Sequence, residues 1–265
     1  MPRQVSLIQV VVTGATGKMS RETIAAVQGQ PDMRLAGLVS RQAATAPAPV
    51  PGVPWSATLD PLLDDLHPDV VVDFSSAASA VSYARTALGR GVAFVSGTTG
   101  LQPGDLEEIE RLAGERGVGA VIAPNFAVGA VLLVHLSTLV ARHFDWAELI
   151  ELHHEQKADA PSGTALQTAQ AMVAARGSEF HETIVLKQTV PGTRGGSVGG
   201  VHVHSVRLPG LMAHQEVLFG GLGQTLTLRH DTTGRLCYMP GVMLAIRSAV
   251  EKPAYVFGLA KLLGL

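Results

Sequence analysis

A single cysteine, Cys237, stands among 265 residues. One thiol excludes an intramolecular disulfide and a multi-cysteine zinc site, and its expected place is core filler. Charge is scarce as well: 16% of residues are charged, the net charge is −2 and the sequence pI is about 6.5. Without a basic excess there is no electrostatic footprint for nucleic acid or for an anionic membrane surface. No uninterrupted apolar stretch reaches membrane-spanning length; Val128 to Val140 is apolar but short and contains His135. The opening residues carry Arg3 and a short apolar run that Gln4, Ser6 and Gln9 interrupt before Gly14, which reads as a first strand rather than a signal peptide. The expectation is a cytoplasmic protein with neither nucleic acid nor membrane as partner. What is plentiful is apolar residues, 46%, which suits a compact chain of one large or two modest domains with a real core.

Through residue 126 short apolar runs alternate with helical spacing. Strands are expected at Leu7–Val12, Arg34–Val39, Asp69–Phe74, Val92–Val95 and Ala120–Ala123. Helices are expected around Ile24–Val27, over Leu59–Leu66, from Ser76 to Arg90 and from Pro103 to Arg116, and Gln42–Pro54 is an Ala- and Pro-rich loop. This alternation predicts a parallel, doubly wound sheet, whose ligands lie beyond the carboxyl ends of the strands. Four strand ends carry suitable residues. Gly14-Ala15-Thr16-Gly17-Lys18-Met19 is a glycine turn between strand and helix, of the kind that lays backbone N–H groups against a dinucleotide pyrophosphate. Ser40-Arg41 ends the second strand, Gly97-Thr98-Thr99 follows the fourth, and Ala123-Pro124-Asn125-Phe126 closes the fifth. Singly each is an ordinary turn; on one edge they suggest cofactor contacts. Ser40 is neutral where an NAD-selective fold carries an acid, and Arg41 is a fixed cation with a donor fork suited to phosphate. NADPH is therefore expected to be preferred, with NADH as the second cofactor.

After Phe126 the character changes. A helix is expected over Val128–Arg142, then strands at Leu149–His154, Thr183–Lys187, Val201–Leu208, Glu216–Phe219 and Thr225–His230, then a closing helix at Arg235–Val250 and a tail at Ala254–Leu265. The alternation of Val201, Val203, Ser205 and Arg207 with His202, His204 and Val206 is that of an open sheet with one polar face. The expected fold is α/β: a Rossmann-like doubly wound parallel sheet plus a second α+β domain with an open mixed sheet. The expected boundaries are 1–127 for a dinucleotide-binding domain, 128–234 for the second domain and 235–265 for a closing helix and tail.

The most informative stretch is Glu151–Leu166. It combines the end of a strand with His153, His154 and Lys157, then Pro161 and a helix start at Ser162-Gly163-Thr164. The first turn of a helix has unpaired N–H groups and a partial positive charge, so Gly163 and Thr164, with the Ser162 and Thr164 hydroxyls, form an anion cradle suited to a carboxylate. Adjacent strand residues point to opposite faces, so at most one of the two histidines shares a face with a given neighbour. From spacing alone, a capped and solvated loop is an equal reading. His202 and His204 share a strand face, but no carboxylate or cysteine spacing completes a ligand set, and no metal is expected.

Glu-Leu-His-His-x-x-Lys-x-Asp-Ala-Pro-Ser-Gly-Thr-Ala resembles the signature of the 4-hydroxy-tetrahydrodipicolinate reductase family, also called dihydrodipicolinate reductase, of bacterial lysine and diaminopimelate synthesis, and the likeness runs along nearly the whole chain. The resemblance implies that 4-hydroxy-tetrahydrodipicolinate, a small dicarboxylate, loses water and gains hydride to give tetrahydrodipicolinate. It implies His153 as general acid, Lys157 as second proton donor or substrate clamp, and His154, Gly163 and Thr164 as substrate contacts. It also implies nicotinamide cofactor on the Gly14 turn, with Gly97–Thr99 and Pro124–Phe126 near the nicotinamide and its ribose, and a homotetramer built through the open sheet of the second domain. For that second domain it implies substrate binding and oligomerisation, and for the closing helix and tail a return to the first domain. Two positions depart from the family pattern. Ser20 stands where a glycine usually lets helix and strand pack closely, and Gln215 stands, next to His214, where many members carry a histidine. A competing reading is an NADP-sensing, non-catalytic protein of the extended short-chain dehydrogenase type, which Thr13-Gly14-Ala15-Thr16-Gly17 also resembles. An active short-chain dehydrogenase would need Tyr-x-x-x-Lys, and none of Tyr83, Tyr238 or Tyr255 has a lysine four residues on.

Overall fold

Val10, Val11 and Val12 are wholly buried, as are Val70, Val71 and Val72. Strands covered on both faces are what a parallel sheet between two helix layers requires. The computed structural model describes residues 7–265, so Arg3, Gln4 and Ser6 lie outside the described residues. In chain order the elements are β1 (Ile8–Thr13), α1 (Lys18–Gln28), β2 (Met33–Val39), β3 (Trp55–Ser56), α2 (Asp60–Leu66), β4 (Val70–Asp73), α3 (Ala77–Gly89), β5 (Ala93–Ser96), α4 (Pro103–Arg116) and β6 (Ala120–Ile122). They continue with α5 (Val128–Ala141), β7 (Trp146–His153), α6 (Gly163–Arg176), β8 (Gly196–Val198), β9 (Val201–Arg207), β10 (Ala213–Gly221), β11 (Gln224–Thr232), α7 (Met239–Glu251), β12 (Tyr255–Phe257) and α8 (Leu259–Leu262). Gly129–Cys237 form one unit; the chain up to Val128, with Tyr238–Leu265, forms the other.

The first unit holds a seven-stranded sheet in the order β12-β6-β5-β4-β1-β2-β3, with every neighbouring pair parallel. Val11, Val71, Phe94 and Ile122 pack under Leu62 and Leu63 of α2, Leu88 of α3 and Ile109 of α4. Alternation sends Val10 and Val12 to the other face, where α1 and α7 pack together. Arg247 of α7 grips Asp32 at the entry to β2 through two bonds of 2.7 and 2.8 Å, and also Gln30 at 2.8 Å.

Two differences from the sequence expectation fall here. The closing helix is interrupted: Arg235–Tyr238 is a 3-10 turn, and α7 starts at Met239 because Pro240 is accepted only in a helix's first turn. The tail is not irregular. Tyr255–Phe257 adds a seventh strand beside β6, satisfying a sheet edge that would otherwise be open.

The second unit is a five-stranded mixed sheet, β11-β10-β7-β9-β8, in which only β7 and β9 run parallel. Ala147, Leu149, Val201, Val203, Val217 and Phe219 line one face, under Ala165, Ala169 and Met172 of α6 and Leu133 of α5. The strand expected at Thr183–Lys187 is absent. That run has no regular structure, and Ile184 and Leu186 are 84% and 98% exposed. The place beside β9 is taken by Gly196–Val198, which returns through a tight turn at Gly199-Gly200, both at positive φ. β propensity without a partner strand forms no strand.

The seam between β6 and α7 is closed by Gly119. A Cβ there would lie 2.1 Å from the Ala249 carbonyl oxygen and 2.6 Å from that of Lys252. Gly119→Ala is expected to destabilise the protein by about 1–3 kcal/mol. Gly114→Ala, inside α4 with open space around it, is expected to be neutral or stabilising by up to about 1 kcal/mol. Urea titrations of both variants check this; a Gly119→Ala midpoint equal to wild type would contradict the seam.

Candidate active site

The carboxyl ends of β6, β5, β4, β1 and β2 are adjacent in the first sheet, so their loops share one edge, with the reversal of strand order between β4 and β1. At β1 the chain turns through Gly14 at φ +61, where a Cβ would press on the Phe74 carbonyl oxygen at 3.2 Å. The Gly17 N–H closes the turn on the Gly14 carbonyl at 2.7 Å. Gly17 caps α1 without a side-chain bond, and no acid occupies the first turn. A helix start with no side-chain cap and no acid in its first turn fits the pyrophosphate of a dinucleotide. Ala15 is buried, with its N–H on the Val39 carbonyl at 3.0 Å, and Thr16 Oγ1 lies 3.3 Å from Ser40 Oγ. Lys18 is exposed and Met19 half-buried.

Ser20 resolves one departure from the family pattern. It is fully buried, and its hydroxyl donates to the Thr13 carbonyl at 3.0 Å, so α1 packs directly on β1 and the extra atom replaces close contact with a bond. At β2, Ser40 caps the 3-10 turn Arg41–Ala44 by accepting from the Gln42 N–H at 3.3 Å, and Arg41 is exposed. Thr98 and Ala123 are buried and Thr99 and Pro124 exposed. Asn125 Oδ1 accepts from the Ala127 N–H at 2.9 Å. Sequence reasoning passed over Phe74. Its ring stands edge-on to Phe126, 6.0 Å between centroids, and presses on Gly97, where a Cβ would come within 2.1 Å of the ring. Phe74 lay inside an apolar strand run, which carries no sign of a ligand.

In the second unit, position along the strands sets polarity. Pairing across β9, β7 and β10 gives inner-face rows. Ala147–Phe219, with Val201 packed in the same cluster, and Val203–Leu149–Val217 are apolar. The next row is Ser205–Glu151–Gln215, and the last is Arg207–His153–Ala213. The core of this unit therefore ends in an ionic layer, over which α6 begins.

Glu151 is the centre of that layer and is 0% exposed. Arg207 holds it with a two-pronged bond, Nη2 to Oε1 at 2.7 Å and Nη1 to Oε2 at 3.0 Å. His153 Nδ1 bonds Oε2, and the Ser162 N–H donates to Oε1 at 3.3 Å. Arg207 also reaches the Asp159 carbonyl at 2.6 Å, while Lys157 Nζ bonds Asp159 Oδ1 at 2.6 Å. One carboxylate thus sets His153, the start of α6 and the loop that carries Lys157. The spacing of Glu151 two residues before His153 places both on one strand face, a signal present in the sequence.

The remaining residues separate. Ser162 is buried and its hydroxyl caps the Ala165 N–H at 3.2 Å, so Gly163, exposed, and Thr164, half-buried, form the outward part of the cradle. His154 lies beyond β7 and is exposed. Gln215 is an interior residue of β10, buried beside Glu151, with Nε2 on Thr168 Oγ1 at 2.9 Å. It does not lie at a strand edge. His214 points to the opposite face, where it bonds Asp231 at 2.7 Å, and so does not stand in for a histidine at Gln215. His202 and His204 also lie on the outer face, away from His153, and His204 is held by Glu148 at 2.6 Å.

Burial works to raise the pKa of Glu151, but bonds from Arg207, Ser205 and His153 outweigh it and hold the carboxyl below its usual range. His153 is also lowered, chiefly by burial, with the Lys157 and Arg207 cations adding to it against the pull of Glu151. Nδ1 faces Glu151, so Nε2 is the ring atom left to exchange a proton.

Comparison with known proteins agrees on both units. The profile described as dihydrodipicolinate reductase, N-terminus, matches residues 8–126, and that described as dihydrodipicolinate reductase, C-terminus, matches residues 129–263. A 4-hydroxy-tetrahydrodipicolinate reductase of Dehalococcoides mccartyi is 46% identical over 262 residues, 97% of this chain and 99% of the relative. One from a Synechocystis species is 46% identical over 271 residues, covering 97% and 98%. Among solved structures, a dipicolinate-bound dihydrodipicolinate reductase from a Paenisporosarcina species superposes with a TM-score of 0.87 at 38% identity, over 96% of this chain and 99% of that one.

Removing Arg207 leaves Glu151 buried without its cation. Arg207→Leu is expected to cost about 3–5 kcal/mol, and Arg207→Leu with Glu151→Leu to recover much of it. Wild-type stability is expected to fall with acid in two windows. The first opens below about pH 6.5, because unfolded His153 takes up a proton before the folded one does. The second opens below about pH 4.3, because the lowered folded pKa of Glu151 makes its contribution disappear as it protonates. Urea titrations from pH 8 to 4 measure this; flat stability between pH 7 and 5 would contradict the first window.

Proposed function

This chain belongs to the dihydrodipicolinate reductase family and is an NAD(P)H-dependent oxidoreductase of lysine synthesis, and on that premise we propose the residues that carry its reaction. The substrate is 4-hydroxy-tetrahydrodipicolinate, which loses water to a conjugated imine, accepts hydride and is protonated to tetrahydrodipicolinate. The dipicolinate bound to the Paenisporosarcina relative supports a ring dicarboxylate as the substrate class. A nicotinamide cofactor would supply the hydride. The first unit's part is to hold it, through Gly14–Met19, Ser40-Arg41, Gly97–Thr99 and Ala123–Phe126.

The observation that carries the proposal is the Glu151–His153 pair beside the start of α6. The N–H groups of Gly163 and Thr164 and the Lys157 ammonium take carboxylate, with His154 as a further contact and Ser162 as the cap that shapes the cradle. Hydride addition leaves an enamine, and His153 protonates it from Nε2. The imidazole then remains as the Nδ1–H tautomer, bonded to Glu151, and takes a new proton at Nε2 from solvent. Lys157 serves as substrate clamp or as the second candidate donor of the proton that the enamine takes. Oxidation of NADPH on addition of freshly made substrate is the direct test; no oxidation would leave only nucleotide sensing.

In the free protein, burial and two cations disfavour the imidazolium. A bound dicarboxylate brings two negative charges to the same place and raises the pKa. The alkaline limb of kcat is therefore expected at higher pH than that of kcat/KM. His153→Gln is expected to lower kcat by about 10²–10⁴ and leave nucleotide affinity unchanged. A variant of near wild-type kcat would remove His153 from the role.

For the cofactor, Arg41 would hold a 2′-phosphate, and Ser40 places no acid there to repel it. NADPH is expected to be favoured over NADH by about three- to thirtyfold at low salt, and less at high salt. KM values for both cofactors in wild type and Arg41→Ala check this, equal values in wild type being the contrary result. The reading places the enzyme in the cytoplasm as a homotetramer. The outer face of the second sheet, with half-buried Ile150, Leu152, Val206 and Leu218, supports an assembly through that surface.

A further inference from the structure

One buried acid has no part in the chemistry above. Asp73 ends β4 and is 0% exposed. Among the described residues no lysine, arginine or histidine bonds it; four hydroxyls do. Thr13 Oγ1 and Ser75 Oγ donate to Oδ1, both at 2.6 Å, and Ser96 Oγ and Thr98 Oγ1 donate to Oδ2 at 3.1 and 2.7 Å. A carboxyl group offers about four lone-pair sites on its two oxygens. All are taken, two per oxygen.

The donors come from the ends of three adjacent strands. Thr13, Asp73 and Ser96 lie side by side in the register of β1, β4 and β5. Ser75 and Thr98 lie in the loops beyond. The hydroxyls also accept. Thr98 Oγ1 receives the Ser75 N–H and Ser96 Oγ the Thr98 N–H, both at 3.1 Å, while the Gly97 N–H donates to the Asp73 carbonyl at 3.0 Å. Thr13 leads directly into Gly14, and Gly97 carries the backbone past the Phe74 ring.

We infer that Asp73 is a positioning residue that holds the Gly14, Phe74–Ser76 and Gly97–Thr99 loops in one arrangement before a nucleotide arrives. The inference rests on the reading of these loops as the cofactor site. Loops at a strand edge have few backbone partners of their own and would otherwise be ordered at the expense of binding free energy. A hub of purely structural value would lower thermal stability and leave nucleotide affinity alone, which separates the two roles.

Asp73→Asn keeps the shape but replaces one acceptor oxygen by an NH₂ group that only donates. Thr98→Val removes one hydroxyl from a folded site, and Thr98→Ser restores it. In nucleotide-free protein, amide hydrogen exchange at 75 and 97–99 is expected to quicken about tenfold in Asp73→Asn and Thr98→Val, but not in Thr98→Ser. The NADPH dissociation constant, from fluorescence titration without substrate, is expected to rise about tenfold in the first two and to stay near wild type in the third. Unchanged affinity in both Asp73→Asn and Thr98→Val, or unchanged exchange at these amides, overturns the inference. Should Asp73→Asn fail to fold, Thr98→Val with its serine rescue decides it. Wild type binding neither NADPH nor NADH would refute the nucleotide site, while exchange would still decide whether Asp73 holds the loops.

Discussion

The second unit depends on keeping one carboxylate, Glu151, charged and fully buried. A buried charge is tolerated only with a partner and with its remaining lone pairs satisfied. Arg207 meets the first demand with a fork that matches both oxygens, and His153 and the Ser162 N–H meet the second. Each satisfying group belongs to a different segment. Satisfying the charge therefore also fixes His153, the head of α6 and, through Asp159, the loop that carries Lys157.

The first unit reaches a similar end by different means. Asp73, like Glu151, sits at the carboxyl end of a central strand, where the apolar interior gives way to loops. Its partners are four hydroxyls instead of a guanidinium. Neutral donors satisfy the acid without adding positive charge, whereas at Glu151 a cation serves two purposes. Arg207 neutralises Glu151 and, with Lys157, adds to the lowering of the His153 pKa that burial chiefly causes. In both units the strands give rigidity, and a buried acid passes it to loops with little packing of their own.

Much of this was legible in the residues. Valine runs such as Val70–Val72 announce strands buried on both faces, and the glycine turn after β1 needs only local backbone sterics to be recognised. The helix start at Ser162 follows from capping chemistry. Strand pairing was less legible. Thr183–Lys187 has the composition of a strand and remains irregular and exposed, while Gly196–Val198, with two of its three residues exposed, is the strand that pairs. Tyr255–Phe257 looked like tail because three residues carry too little pattern to reveal a sheet edge in need of cover.

The sequence by itself determined most of the strands and helices, the turn chemistry at their ends and, through a long motif, the family and its reaction class. These depend on neighbours within a few residues, or on a string specific enough to be read without coordinates. Only the tertiary structure decided which polar residues meet. Glu151 and Arg207 are 56 positions apart, Thr13 and Asp73 are 60 apart, and Gln215 reaches Thr168 across 47. Strand register sets such contacts, and a shift of one residue sends every side chain to the other face. Register is chosen by the burial of a whole sheet at once, so no local stretch of sequence states that Glu151 lies beside Gln215, or that His214 faces away.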